Sequence, residues 1–131
     1  MNYNKAKKFY NKTVVADNSI KSPVELVKVM LTELNKSMNV VVNCIRNKEI
    51  NETKSKHFSR ALTIIYTLQT TLDFDKGGDL AVKLFQYYEF CRKQLIKGFS
   101  KNLYEVINKA IESVDEILGN KKEINGKFKK A

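Results

Sequence analysis

Thr71-Leu72-Asp73-Phe74-Asp75-Lys76-Gly77-Gly78-Asp79-Leu80-Ala81 separates two strongly apolar, periodic segments of the chain. Two adjacent glycines supply the backbone freedom of a tight turn, and Asp73 or Asp75 is placed to cap a helix that follows. The stretch therefore reads as a helix-to-helix hinge built on Asp73, Gly77 and Gly78. It is not a calcium loop: counting Asp73 as the first position, the fifth is Gly77 rather than Asp or Asn, and the twelfth is Leu84 where a bidentate glutamate belongs. Nor is it a phosphate loop, since it lacks both the glycine spacing and the Lys-Ser/Thr pair.

Upstream, Ser22 and Glu25 form a capping-box pattern, and Pro23, the only proline, falls at the first helical position. Val24, Val27, Leu31, Leu34, Met38, Val41 and Ile45 then recur at alternating spacings of three and four. Leu26, Met30, Val40 and Cys44 widen that stripe, which predicts the most enclosed helix of the set. The polar run from Arg46 to Ser55 reads as a connector. A second helix is expected to start near Thr53 or Ser55, with Phe58, Leu62, Ile65, Leu68 and Leu72 on one face and Ala61, Ile64 and Leu68 on an adjoining strip. After the hinge, a third helix should turn Leu80, Leu84, Tyr87, Cys91 and Leu95 inward and end at Gly98. Ser100 or Asn102 is expected to cap a fourth helix with the stripe Leu103, Ile107, Ala110, Val114 and Ile117, stopped by Gly119-Asn120. No segment alternates with period two. Four helices with short connections predict an all-α, antiparallel, up-and-down four-helix bundle over residues 21–119.

The chain has 131 residues, 43% of them apolar and 29% charged, enough for one domain with one core. No segment approaches the roughly 18 consecutive apolar residues of a membrane span. The amino terminus lacks the apolar run of a signal peptide, so a cytoplasmic location is expected. The net charge of +10 is unevenly placed. Residues 1–12 carry four lysines and no acid, and residues 120–131 carry five lysines against Glu123, so each end holds +4. Residues 13–119 keep 15 basic against 13 acidic residues, or +2. A nucleic-acid domain more often puts its basic residues along one folded face. The ends therefore read as a flexible arm (1–20) and a basic disordered tail (120–131).

Catalytic and metal-binding chemistry find little support. His57 lies among Lys54, Lys56 and Arg60 and reads as a surface residue. One histidine and two scattered cysteines do not make a tetrahedral zinc site. Cys44 and Cys91 fall within apolar periodic segments and read as small buried hydrophobes. Asp115 and Glu116 are adjacent, hence on different helix faces, and read as solvated. Neither a catalytic residue, a metal nor a cofactor is expected.

Bundle helices need about three apolar residues in seven. The second and third helices exceed this, because Ile64-Ile65 and Tyr87-Tyr88 place bulk on two faces at once. The surplus set Ile64, Leu68, Phe85 and Tyr88 is expected to form a groove for a partner, against the plainer alternative of a wide core stripe. A basic four-helix module for nucleic acid or an acidic protein, and a self-associating helical domain, are the rival readings.

The acidic Gly-Gly hinge, the helix Leu84-Phe85-Gln86-Tyr87-Tyr88-Glu89-Phe90 with Arg92, Lys93 and Leu95 behind it, and the opening Ser22-Pro23-Val24-Glu25-Leu26-Val27 together resemble the flagellin-specific export chaperones, the FliS family. The likeness covers roughly residues 20 to 118. It implies a protein that performs no chemistry and receives the carboxy-terminal helical segment of flagellin, wrapped around the bundle in extended form. Covering that segment prevents premature polymerisation and keeps flagellin competent for type III export. The likeness also implies a contact with the export gate, and an amino-terminal segment lying across part of the flagellin site, for which Tyr10 is the nearest match.

Removal of residues 120–131 should lower retention on a polyanion column while leaving helicity and thermal midpoint unchanged. A large drop in midpoint would show that the tail is packed.

Overall fold

The computed structural model describes residues 22–119, which form four helices: α1 (Pro23–Arg46), α2 (Glu52–Thr70), α3 (Phe74–Lys101) and α4 (Tyr104–Leu118). No strand occurs among the described residues. Tyr10, the arm 1–20 and the tail 120–131 lie outside them.

Each helix begins and ends for a local reason. Ser22 Oγ accepts from the Glu25 amide at 3.1 Å, and Pro23 follows at the first helical position, as the capping pattern requires. The α2 start differs from the expected Thr53 or Ser55: Asn51 takes the cap, its Oδ1 accepting from the Lys54 amide at 3.1 Å. Asparagine ranks with serine as a cap, and the connector shortens to five residues. In the hinge, Asp73 caps the Lys76 amide and helix begins at once with Phe74. Gly78 then breaks the helical path at φ 51° and ψ −129°, a conformation that glycine adopts without penalty. The hinge is thus one helical turn, a break, and the long body of α3.

Gly98 does not end α3. The helix runs on to Lys101, and Asn102 terminates it in the left-handed region, its amide bonding to the Gly98 carbonyl. Ser100 and Asn102 do not cap α4 either. Ser100 Oγ donates back to the Ile96 carbonyl at 2.7 Å, and Leu103 stands at the cap position with no side-chain bond. Gly119, also left-handed, closes α4 where expected.

Residue pairs across the interfaces fix the directions. Glu33 meets Arg60 while Ser37 meets His57, so α1 and α2 are antiparallel. Phe58 stacks on Phe99 while Gln69 reaches Glu89, which makes α2 and α3 antiparallel. Cys91 meets the Ala110 carbonyl, and Asn35 meets Ile111 while Arg46 lies over Tyr104. The result is an up-and-down bundle in which α1 and α3 face each other diagonally and scarcely touch.

The core takes α1 most fully, with Leu26, Met30, Leu31, Leu34, Met38, Val41, Val42 and Ile45 buried. Val24, expected in that stripe, is exposed at the helix start. From α2 come Ala61, Ile64, Ile65 and Leu68, and from α4 Ile107, Ala110, Ile111 and Val114. Leu103, also expected inside, is exposed. Cys44 and Cys91 are free thiols and buried. The contribution of α3 is narrow: Ala81, Tyr88, Cys91, Leu95 and Gly98. A Cβ on Gly98 would lie 2.8 Å from the Leu103 carbonyl oxygen and collide with Ile107 Cγ1, so α3 and α4 touch backbone to side chain there.

Gly98→Ala accordingly tests the packing against propensity. Alanine favours an exposed helix interior by about 1 kcal/mol, but forced overpacking costs about 1–3 kcal/mol. Chemical denaturation should show the variant less stable than the parent; an increase in stability would contradict this close approach.

Candidate functional site

The faces of α3 differ sharply in burial. Tyr88 is 2% exposed and sits in the core cluster, and Ile64 and Leu68 of α2 are equally enclosed. Three of the residues expected to form a partner groove are therefore core in this structure, which corrects the face assigned to them. Phe85 alone of that set is on the surface, at 38%. Conversely Leu80 and Tyr87, expected inside, are 64% and 40% exposed, and Leu84 is only half-buried. A helix turns 100° per residue, so having Tyr88 rather than Tyr87 at the core shifts the buried stripe on the hinge-side turns of α3, while Cys91 and Leu95 stay inward as expected.

Leu80, Tyr87 and Phe90 consequently line one outer strip of α3, and Val82 and Phe85 an adjoining one. Phe74, from the turn before the Gly78 break, leans its ring on Phe85 with centroids 6.1 Å apart. Two shallow grooves flank this ridge. One, of about 400 Å³, lies between α3 and α4 and is lined by Lys83, Gln86, Tyr87, Phe90 and Ser113. The other, of about 310 Å³, is bordered by Phe85, Gln86, Glu89, Phe90 and Lys93. On α2, Tyr66 is also exposed. Monomeric proteins seldom leave so many large apolar side chains on one helix face without a use.

The polar groups around these strips serve the bundle. Glu89 accepts from Arg92 Nε at 3.0 Å and from Gln69 Nε2 at 3.1 Å, tying α2 to α3. Those bonds, Arg92 first, hold the Glu89 carboxyl at about 2, far below the usual carboxylate value. His57 is half-buried, with Nδ1 3.3 Å from Ser37 Oγ. Burial first, then Arg60 and Lys56, lower its pKa, so the ring is neutral at pH 7. Asp115, expected in solvent, accepts from buried Asn35 Nδ2 at 2.8 Å and links α4 to α1. Burial pushes the Cys91 thiol up to about 12 and raises that of Cys44, so neither is an activated nucleophile. Among the described residues no three His, Cys, Asp or Glu side chains gather where they would hold a metal ion. No helix among them is long and apolar enough to cross a membrane.

An all-helical bundle with an aromatic outer ridge and an acidic glycine hinge has a counterpart among known families. The model of the family described as flagellar protein FliS matches residues 2–127. This chain belongs to the FliS family. It is also similar to the flagellar secretion chaperone FliS of Vibrio cholerae serotype O1, 34% identical over 64 residues. That alignment covers 49% of this chain and 47% of the relative, so the chain spans about half the length of the relative it matches.

A matched pair of substitutions reads the two faces of this FliS-family chain. Tyr88→Asp should unfold the bundle by burying an unpaired charge, and Tyr87→Asp should leave its circular dichroism and thermal midpoint close to the parent. Equal effects of the two would overturn the face assignment.

Proposed function

We propose that this chain is a cytoplasmic export chaperone that binds the carboxy-terminal helical segment of flagellin, keeps it from polymerising and holds it ready for flagellar type III export. The observation that carries this reading is the FliS-family match over nearly the whole chain. The exposed strip Leu80, Tyr87 and Phe90, with Phe85 on the adjoining one, supports it, because these residues offer apolar anchors outside a core already filled by others.

The mechanism is coupled folding and binding. A segment without a core of its own gains burial by laying apolar side chains into the grooves beside α3, and loses conformational entropy as it docks. No bond is made or broken. The buried set Ile64, Leu68 and Tyr88 acts from beneath, shaping the ridge that Tyr87 and Phe85 present. Tyr10 and the arm are assigned the role of a cover that flagellin displaces, at a cost to apparent affinity. The export gate is the second partner in this proposal.

Calorimetry with the full-length cognate flagellin tests the reading. Binding should proceed with a negative heat-capacity change, the mark of apolar burial. Tyr87→Asp combined with Phe90→Asp should weaken it at least about tenfold, a change of roughly 1.4 kcal/mol. Failure of the parent protein to bind flagellin, with retention of nucleic acid at physiological salt, would sink the chaperone reading.

A further inference from the structure

The outer face of α3 carries charge as well as apolar surface, and the two alternate in one register. Leu80, Lys83, Tyr87, Phe90, Gln94, Lys97 and Lys101 follow one another at spacings of three, four, three, four, three and four, the repeat of a helix-pairing seam. All are exposed except Gln94, which is half-buried. The apolar members cluster toward the hinge, and lysines border them on both sides. Lys83 opens onto the α3–α4 groove beside Tyr87 and Phe90. Lys83, Lys97 and Lys101 form no ion pair with a carboxylate among the described residues, although Glu33 and Glu89 are both engaged by basic partners elsewhere. No acidic side chain among those residues lines the α3–α4 groove.

We propose that this seam selects an acidic amphipathic helix. Two apolar side chains of that helix would cover Tyr87 and Phe90, with carboxylates placed to meet Lys83 at one end and Lys97 at the other. The inference rests on α3 being the docking face and specifies the chemistry of what docks there. Lys83 and Lys97 are fourteen residues apart, so the carboxylates of a helix lying along α3 sit about two heptads, or about 21 Å, apart. A second copy of this chain is a poor occupant. Antiparallel pairing of two α3 seams sets Lys83 of one against the Lys97 region of the other, and like charges at an interface cost affinity. The charges on the rim chiefly govern encounter rate and choice of partner, while the aromatic pair supplies the burial.

The test uses the full chain and helix-favouring synthetic peptides of about 18 residues, long enough to span the seam at 1.5 Å per residue. Two peptides share an apolar face and differ only in bearing glutamates or lysines at the two flanking positions. A third keeps the glutamates and replaces the apolar face with serine and glutamine. The parent protein should bind the first peptide at least about tenfold more tightly than the second, with the preference shrinking as salt is raised. The double variant Lys83→Glu, Lys97→Glu should reverse that order while its circular dichroism is unchanged. Equal binding of the first two peptides, or binding of neither, would overturn the inference. So would binding of the third as tight as the first, which would make the seam a general polyanion patch. Selection of the acidic peptide by a protein that fails to bind flagellin would leave the seam's chemistry standing and remove the chaperone reading. Flagellin binding without peptide selection would do the reverse.

Discussion

Everything on the outer surface of α3 follows from how narrow its inner face is. At Gly98 the helix approaches α4 so closely that no β-carbon fits, and at Ala81 and Cys91 the inward side chains are small and buried. Tyr88 and Leu95 are its bulky buried residues, with Leu84 and Phe99 packed half-buried against the core. Close approach of the Gly98 backbone to the Ile107 side chain leaves little volume there, and interiors packed to crystal density admit no extra rings. Phe85, Tyr87 and Phe90 stand outside, while Phe99, beyond Gly98, packs half-buried against Phe58 of α2. An exposed aromatic ridge thus arises as the complement of a tight interface.

The other helices make that arrangement possible. α1 supplies most of the core and packs broadly on both α2 and α4, so α3 is not needed to close the apolar interior by itself. Its contact with α2 is slighter, and there polar and aromatic ties reinforce it. Gln69 with Glu89 and Arg92 stands at one end, and Phe58 stacked on Phe99 at 3.8 Å at the other, with Lys54 over the Phe99 ring. Stacked aromatic pairs are worth about 0.5–1.5 kcal/mol beyond their burial, enough to matter across a thin interface. The Gly78 break adds a separate turn bearing Phe74, which rests on Phe85 and extends the apolar ridge past the body of the helix.

Much of this was legible in the sequence, and the misreadings share a physical cause. Helix count, antiparallel order, the Ser22–Pro23 start of α1, the Asp73 cap and the Gly119 stop all follow from local chemistry that tertiary context leaves alone. The face of α3 does not. Leu80-Leu84-Tyr87-Cys91-Leu95 and Ala81-Tyr88-Cys91-Leu95-Gly98 share their last turns and diverge by one residue toward the hinge. Weighting by bulk selects the first; the fold uses the second, because small residues are what permit close helix contact. The signal was present in Ala81 and Gly98, and reading Gly98 as a terminator concealed it. Ile64-Ile65 misled similarly, since α2 has neighbours on two sides and buries both. Asn35 and Asp115 form a cross-tie that no local pattern announces, because the two residues meet only in the folded bundle.

On the proposed docking face Tyr87 meets flagellin, while its neighbour Tyr88 faces the core. Hydroxyl-radical footprinting read residue by residue by mass spectrometry measures both at once, in the free protein and with saturating flagellin. Strong labelling of Tyr87 and almost none of Tyr88 is expected in the free protein, with Tyr87 labelling suppressed in the complex. Labelling of Tyr88 as strong as that of Tyr87 in the free protein, or Tyr87 labelling unchanged by bound flagellin, would contradict that placement.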